Sequence, residues 1–337
     1  VALLFIEGWD TDTTVAADGR WTGGGTQTSV GSGGRTGNRL NLANASLART
    51  VSHVFAPAGD VIIVGCAVMR TSDYTAAVLF QLREGATPHM DLRITATGQL
   101  TVTRNGTVLA TTTFIPALGV WNYYELKVTI HDTAGTFELR INGNSVAEVS
   151  GTSQDTKNGG TGNLDTILLN DPGGSGTAFD DLYICDDAGS ANNDFLGDVK
   201  VETLYPNGNG NSSQLVGSDG NSTDNYLLVD ETTPNSDTDY VESATVGNKD
   251  TYAVTDLAAV GGTVYGVQLS PYARKNDAGA RTICTVARLS GTEVDSANAA
   301  LSTSYQHFVD MRETKPGGGA WTISDVNSAE FGVKVTA

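Results

Sequence analysis

Residues 121–146, WNYYELKVTIHDTAGTFELRINGNSV, decide the fold class of this 337-residue chain. The first half alternates strictly: Tyr124, Leu126, Val128 and Ile130 fall on one face, and Tyr123, Glu125, Lys127 and Thr129 on the other. A period of two with one apolar face predicts a half-buried antiparallel strand. After HDTAG the pattern repeats, with Phe137, Leu139 and Ile141 inward and Glu138 and Arg140 outward. The two runs therefore pair as a hairpin. Asn142-Gly143 accepts the positive φ angles of a tight type I′ turn, which predicts a third strand over 146–149.

The same texture extends on both sides. ALLFIEGW (2–9), LARTVSHVF (47–55), DVIIVGCAVMR (60–70), AAVLFQLRE (76–84), HMDLRITATG (89–98), NLDTILLND (163–171) and FDDLYICDD (179–187) all read as strands. LTVTRNGTVLATT (100–112) reads as a second hairpin, turning at Asn105-Gly106. Short apolar runs cut by Gly, Asn, Asp and Thr, with 40 glycines and only 17% charged residues, build strands and turns rather than helices. Spacing of this kind predicts a two-sheet, jelly-roll β-sandwich. From 206 to 239 the chain turns polar, and a new strand series follows: DTYAVTDL, TVYGVQLSPYARK, ARTICTVARLSG, TEVDSA, YQHFVDMRE and WTISDVNSAEFGVKVT. The expected organisation is all-β, with two tandem β-sandwich domains at 1–198 and 199–337.

Charge narrows the partners. Lys and Arg number 20 against 38 Asp and Glu, a formal net charge of −18. Such a chain has no unaided grip on a phosphate backbone, so nucleic acid is excluded as a partner. No run of about 18 apolar residues offers a membrane span, and VALLFI reads as a first strand rather than a leader. Cys66, Cys185 and Cys284 are an odd number with no close spacing, so buried free thiols are expected in place of a disulfide framework or zinc site.

Catalytic constellations are not legible. The four histidines, His53, His89, His131 and His307, are scattered, and there is no Gly-x-Ser-x-Gly elbow. Glu125 and Glu138 read as solvated strand residues rather than the paired carboxyls of a glycosidase. The expectation is a protein without enzymatic activity. The glycine-rich 21–37, WTGGGTQTSVGSGGRTG, lacks the Gly-Lys-Ser/Thr ending of a phosphate cradle and reads as a sandwich loop.

Two kinds of binding site remain. In DPGGSGTAFDDLYICDD (171–187), Asp171, Asp180 and Asp181 are candidate calcium ligands, since hard cations take several carboxylate and carbonyl oxygens. The competing reading is that Asp180 and Asp181 cap a turn. No other cofactor is suggested. For sugars, which stack on aromatic rings, the candidates are Tyr123, Tyr74, Trp21 and Tyr226, with Tyr123 placed outward by alternation. Trp9 and Trp121 read as core.

LLFIEGWD, GNRLNL, the 121–146 hairpin and the closing FDDLYICD together resemble the laminin-G-like, concanavalin A-type jelly roll over residues 1–188. The continuation from NNDFLGDVKVETLYPNGNGNSS resembles a β module that follows such jelly rolls in structural proteins of tailed bacteriophages. The resemblance implies a non-enzymatic protein of the virion exterior, a tail-fibre or baseplate adhesin contacting host cell-surface polysaccharide. Other virion proteins and further copies of itself would be its neighbours. Two alternatives stay open: a capsid or tail decoration protein, and a secreted bacterial glycan-binding protein.

Overall fold

The computed structural model describes residues 2–11, 15, 19–23, 29–42, 49–71, 73–171 and 176–337. The chain divides into two compact units, 1–17 with 21–201 and 18–20 with 202–337. Residues 24–28 of the glycine-rich stretch and 172–175 of the acidic one lie outside the described residues.

Unit one is built from strands β1 (Leu3–Glu7), β2 (Thr22–Gly23), β3 (Ser29–Ser32), β4 (Asn38–Leu42) and β5 (Arg49–Val54). Next come β6 (Val61–Arg70), β7 (Ala77–Glu84), β8 (Thr87–Ile94), β9 (Leu100–Arg104) and β10 (Thr107–Thr111). The series closes with β11 (Asn122–Thr129), β12 (Gly135–Ile141), β13 (Asn144–Gln154), β14 (Thr166–Asp171) and β15 (Thr177–Asp186). One sheet has the order β13-β12-β11-β6-β15-β4-β3, with β1 also on β15; the other has the order β10-β9-β8-β7-β14-β5-β2. Their inner faces share one core, with Phe5, Val64, Leu126 and Phe179 from the first and Phe80, Leu82, Met90 and Leu92 from the second. This is a β-sandwich of jelly-roll type.

The deciding hairpin forms in the expected register, pairing Tyr124 with Ile141, Leu126 with Leu139 and Val128 with Phe137. Asn142 (φ 52°) and Gly143 (φ 76°) make the turn, and Asn105 (φ 40°) and Gly106 (φ 87°) make the other. Leu126, Val128 and Leu139 are fully buried, each contributing about 1.5–3 kcal/mol of apolar transfer. All three cysteines are free and buried, and Trp9 is in the core. Trp121, read as core, is half-exposed.

Unit two is organised round one antiparallel sheet in the order Pro206–Ser213, Lys249–Val254, Glu330–Val335, Thr282–Leu289 and Thr292–Asp295, with Ala299–Ala300 pairing to Thr282–Leu289. Three two-stranded ribbons complete the described strands. The polar stretch that opens this unit is ordered by a buried carboxylate rather than by apolar side chains. Asp250, fully buried, accepts the Gln214 (2.5 Å) and Leu215 (2.8 Å) amides, the Asn225 side chain (2.6 Å) and the Tyr252 hydroxyl (3.0 Å). Two expected strands differ. TVYGVQLSPYARK holds only Val267–Leu269 and Tyr272–Ala273, because Ser270-Pro271 interrupts pairing. WTISDVNSAEFGVKVT begins as a helix, Ile323–Ser328, started by a reciprocal capping box between Thr322 and Asp325.

Candidate functional site

The polar face of the 121–146 hairpin is not its wet side. Tyr123 (1% exposed) and Glu125 (0%) point away from the core, as alternation requires, yet both are buried. Glu125 is covered by residues 194–201, which follow β15 and fold back across the sheet, and the Tyr123 ring faces the Arg35 guanidinium at 5.3 Å. Glu125 Oε1 accepts the Tyr183 hydroxyl at 2.5 Å and the Gly197 amide at 2.8 Å, while Tyr183 Oη also accepts the Leu196 amide at 3.2 Å. Tyr183 and Glu125 sit on either side of Gly65 in register, and any Cβ on Gly65 would collide with the Tyr183 ring. Phe195 lies 3.8 Å under the Arg140 guanidinium. Tyr123 is therefore corrected from glycan platform to part of this dock, its hydroxyl donating to the Asp181 carbonyl at 2.9 Å.

The pair Asp180-Asp181 lies in the same dock. Between Phe179 and Leu182, both core residues, β15 carries one extra residue: the register to β6 shifts between Asp180 and Tyr183, and Asp181 adopts φ 51°. This bulge turns two consecutive carboxylates to one face. Asp180 Oδ2 accepts the Arg35 amide at 2.6 Å, Asp181 Oδ1 accepts the Val201 amide at 2.8 Å, and the Arg35 guanidinium stands 3.3 Å from Asp181 Oδ2. The same guanidinium reaches Asp198 at 2.5 Å and donates to the Val199 carbonyl at 3.3 Å. The glycine-rich stretch, read as a loop, contributes β2 and β3, and the bend that follows them has a tight purpose: Gly34 packs against Asp180, and Gly37 against Asp10, where a side chain has no room. It cradles the protein's own carboxylates.

Burial raises both acids above the ordinary carboxylate value; at Asp180 the neighbouring Asp181 adds to this, while at Asp181 the Val201 amide and Arg35 oppose it. One guanidinium balances one negative charge here, not two. The folded chain thus holds a proton that the unfolded chain releases. The stability from the pair is complete below about pH 4 and is lost as pH rises toward 8. Unit one is expected to melt higher at pH 5 than at pH 8, and Asp180→Asn to flatten that slope. A slope that survives in the variant would assign it to other groups.

The remaining candidates scatter. Asp171 is buried apart from this dock, accepting the Thr177 amide at 3.0 Å and facing Arg70 at 3.9 Å. Among the described residues no group of three or more His, Cys, Asp or Glu is arranged to hold a metal. The expectation of a calcium site on Asp171, Asp180 and Asp181 together is corrected accordingly: Asp171 lies apart and faces Arg70, Asp181 faces the Arg35 guanidinium, and Asp180 accepts the Arg35 and Asp181 amides. Trp21 is buried (4% exposed), its indole donating to Glu7 at 3.1 Å, so it is core and not a platform. Tyr74, in unit one, is half-buried, with its hydroxyl on the Pro116 carbonyl at 2.7 Å. Tyr226, in unit two, sits half-exposed in the 3-10 turn Asn225–Leu228.

The second sheet carries what the aromatic search overlooked. On β7 and β8, Phe80, Leu82, Met90 and Leu92 enter the core, so Gln81, Arg83, Asp91 and Arg93 face outward. Gln81 pairs with Asp91, Asp91 with Thr103, and Leu168 of β14 lies on the other side of Gln81. Asp91 is fully buried. It accepts the Gln81 amide, the Thr103 hydroxyl at 2.8 Å and Arg93 Nη2 at 3.3 Å. With its NH₂ committed to Asp91, Gln81 turns its Oε1 to Arg83 Nε, 2.5 Å away. Arg83 is half-exposed and forms no ion pair with any described carboxylate. Nearby Glu84 is engaged by Thr161 and the Gly162 amide, and Asp165 by the Gly85 amide and Thr166. The result is a fixed fork of unshared donors on a polar sheet face. Alternation in AAVLFQLRE and HMDLRITATG, both already read as strands, contained this signal.

No protein-family profile and no curated protein sequence matches the chain. Solved structures resemble about half of the chain. A Trypanosoma rangeli sialidase is 14% identical, over 51% of this chain and 29% of the sialidase, with a TM-score of 0.34. A carbohydrate esterase from the Shiga toxin-encoding bacteriophage phi24B is 11% identical over 49% of this chain and 89% of the esterase, with a TM-score of 0.35. Domain 4 of the extracellular arabinanase AbnA from Geobacillus stearothermophilus, solved with arabinotriose, is 17% identical over 55% of this chain and 92% of that domain, with a TM-score of 0.39. The chain spans 19% to 30% of the length of the sialidases it matches.

Proposed function

We propose that this chain is a non-enzymatic, glycan-binding protein of a tailed-phage exterior, of tail-fibre or baseplate type, and that it meets host polysaccharide through the outer face of β7 and β8. The observation that carries this reading is the chain Arg83–Gln81–Asp91–Arg93. It fixes planar donors toward solvent through a buried carboxylate, the arrangement that recognises hydroxyls and carboxylates at low entropic cost. The outer face of the other sheet is occupied by the chain's own residues 194–201. The adjacent pair Asp180-Asp181 is shut beneath them, which supports a binding rather than a hydrolytic role. The sequence resemblance of residues 1–188 and of the continuation supports the virion location, with other virion proteins and copies of the chain as neighbours.

Immobilised host-surface polysaccharides are expected to retain the protein without release of reducing ends, and Arg83→Ala to weaken retention by about tenfold or more. Release of reducing ends would replace this reading with a hydrolase. A second reading, a decoration protein, draws on another feature: Ile115 (50% exposed), Leu118 (38%) and Val120 (50%) make an apolar loop tip suited to a protein neighbour. Binding to empty particles with no affinity for sugars would favour it.

A further inference from the structure

We infer that the ligand of the β7–β8 face is a carboxylated polysaccharide, a polymer of uronic-acid type, gripped by Arg83 with Arg93 beside it. The inference rests on the glycan-binding reading above and adds the charge of the ligand.

With 38 acidic and 20 basic residues in the chain, most of its arginines stand against carboxylates. Arg35, Arg70, Arg93, Arg104, Arg140, Arg274, Arg281, Arg288 and Arg312 all form ion pairs with carboxylates. Arg83 does not. Its Nε is held by Gln81 Oε1, which leaves both terminal nitrogens free in a fixed plane, the geometry that meets a carboxylate bidentately. Arg93 adds a second guanidinium, its side chain 34% exposed, on the other side of the Gln81–Asp91 pair, where it meets Asp91 at 3.3 Å. The nearby carboxylates Glu84 and Asp165 are taken up by Thr161, Gly162, Gly85 and Thr166, so a uronate carboxylate meets the terminal nitrogens of Arg83 in a charge-assisted pair that a neutral sugar does not form.

The net charge makes a distinctive kinetic expectation. At −18 the chain repels a polyanion at long range, and the Debye length falls from about 30 Å at 0.01 M salt to about 8 Å at 0.15 M. Association with a uronate polymer therefore speeds up as salt rises over that range, opposite to a basic protein steering onto the same polymer.

The test is biosensor binding of the full chain to polygalacturonate, polymannuronate and hyaluronate, each beside its carboxyl-reduced form, in which –COOH has become –CH₂OH. The expected result is that at least one native polymer binds and that its reduction weakens binding by about tenfold or more. Arg83→Ala should abolish the preference and Arg83→Lys restore part of it, with unchanged melting confirming that both variants fold. Equal binding of native and reduced polymers would remove the acidic ligand and leave the sugar-binding face standing. Binding of neither form would remove both. An acid preference that survives in Arg83→Ala would also overturn the assignment.

Discussion

Arg35→Ala is expected to lower the stability of unit one by about 3 kcal/mol at pH 8, at the lower end for breaking a buried ion pair. The side chain is 16% exposed and faces Asp181, itself fully buried, so alanine removes the ion-pair partner of a buried carboxylate and leaves it only the charge of Lys200. Asp198 is 40% exposed and regains water, which keeps the loss from being larger. The Val199 carbonyl also loses its donor, and the Tyr123 ring loses the cation 5.3 Å above it. Because Asp180 and Asp181 respond by holding protons, the loss should shrink at pH 5. Arg35→Lys should fall between, since an ammonium cannot serve Asp181, Asp198 and Val199 as one planar group. Urea unfolding at the two pH values measures this. A variant within about 1 kcal/mol of the parent at pH 8 would show that residues 194–201 are held by their backbone bonds alone.

Gly332→Ala is expected to be comparably severe in unit two, at about 3 kcal/mol or more. Gly332 lies in the middle of the sheet, opposite Thr251 on one side and Val286 on the other. Its added Cβ would fall on the Asp250 carbonyl oxygen, a backbone atom that cannot rotate away. Relief requires prising Lys249–Val254 from Glu330–Val335, which also disturbs the carboxylate of Asp250 that orders the polar stretch from 206. Gly208→Ala is the control, since its Cβ would meet nothing closer than Ala253 at 3.8 Å. Trp321, 2% exposed and 5.9 Å from Phe331, reports the unit by fluorescence. Burial of Trp321 persisting in Gly332→Ala to the parent's denaturant midpoint would show that the strands accommodate the methyl group.

Most strands of unit one were legible because period-two alternation is a local property; β2 and β3, inside the glycine-rich stretch read as a loop, were not. The site was not, and the hairpin shows why. Alternation separates the core-facing side chains of β11 from the others; it says nothing about what covers the others. Glu125 is sealed by residues some seventy places later and Tyr123 faces Arg35 from far earlier in the chain, long-range events without periodic signature. The bulge at Asp181 is equally invisible to a rule that assumes unbroken pleating. In unit two, apolar spacing in WTISDVNSAEF misled, while Thr322 and Asp325 three residues apart were a readable helix start. Arg83 and Arg93 were readable too, but a search for sugar sites through aromatic rings passes over guanidinium groups.

The place of β15 in the first sheet has a consequence for synthesis. β15 lies between β6 and β4 and also pairs with β1, joining Leu3 to Cys185 and Glu7 to Leu182. While a ribosome is still short of residue 177, β1 and β4 have no link through this sheet to β6, and the apolar faces of both sheets stand open. Such a topology pays its loop-closure entropy late and folds slowly. A nascent chain arrested in that interval is not a smaller sandwich but an open edge, prone to pair with its neighbours on the same polysome.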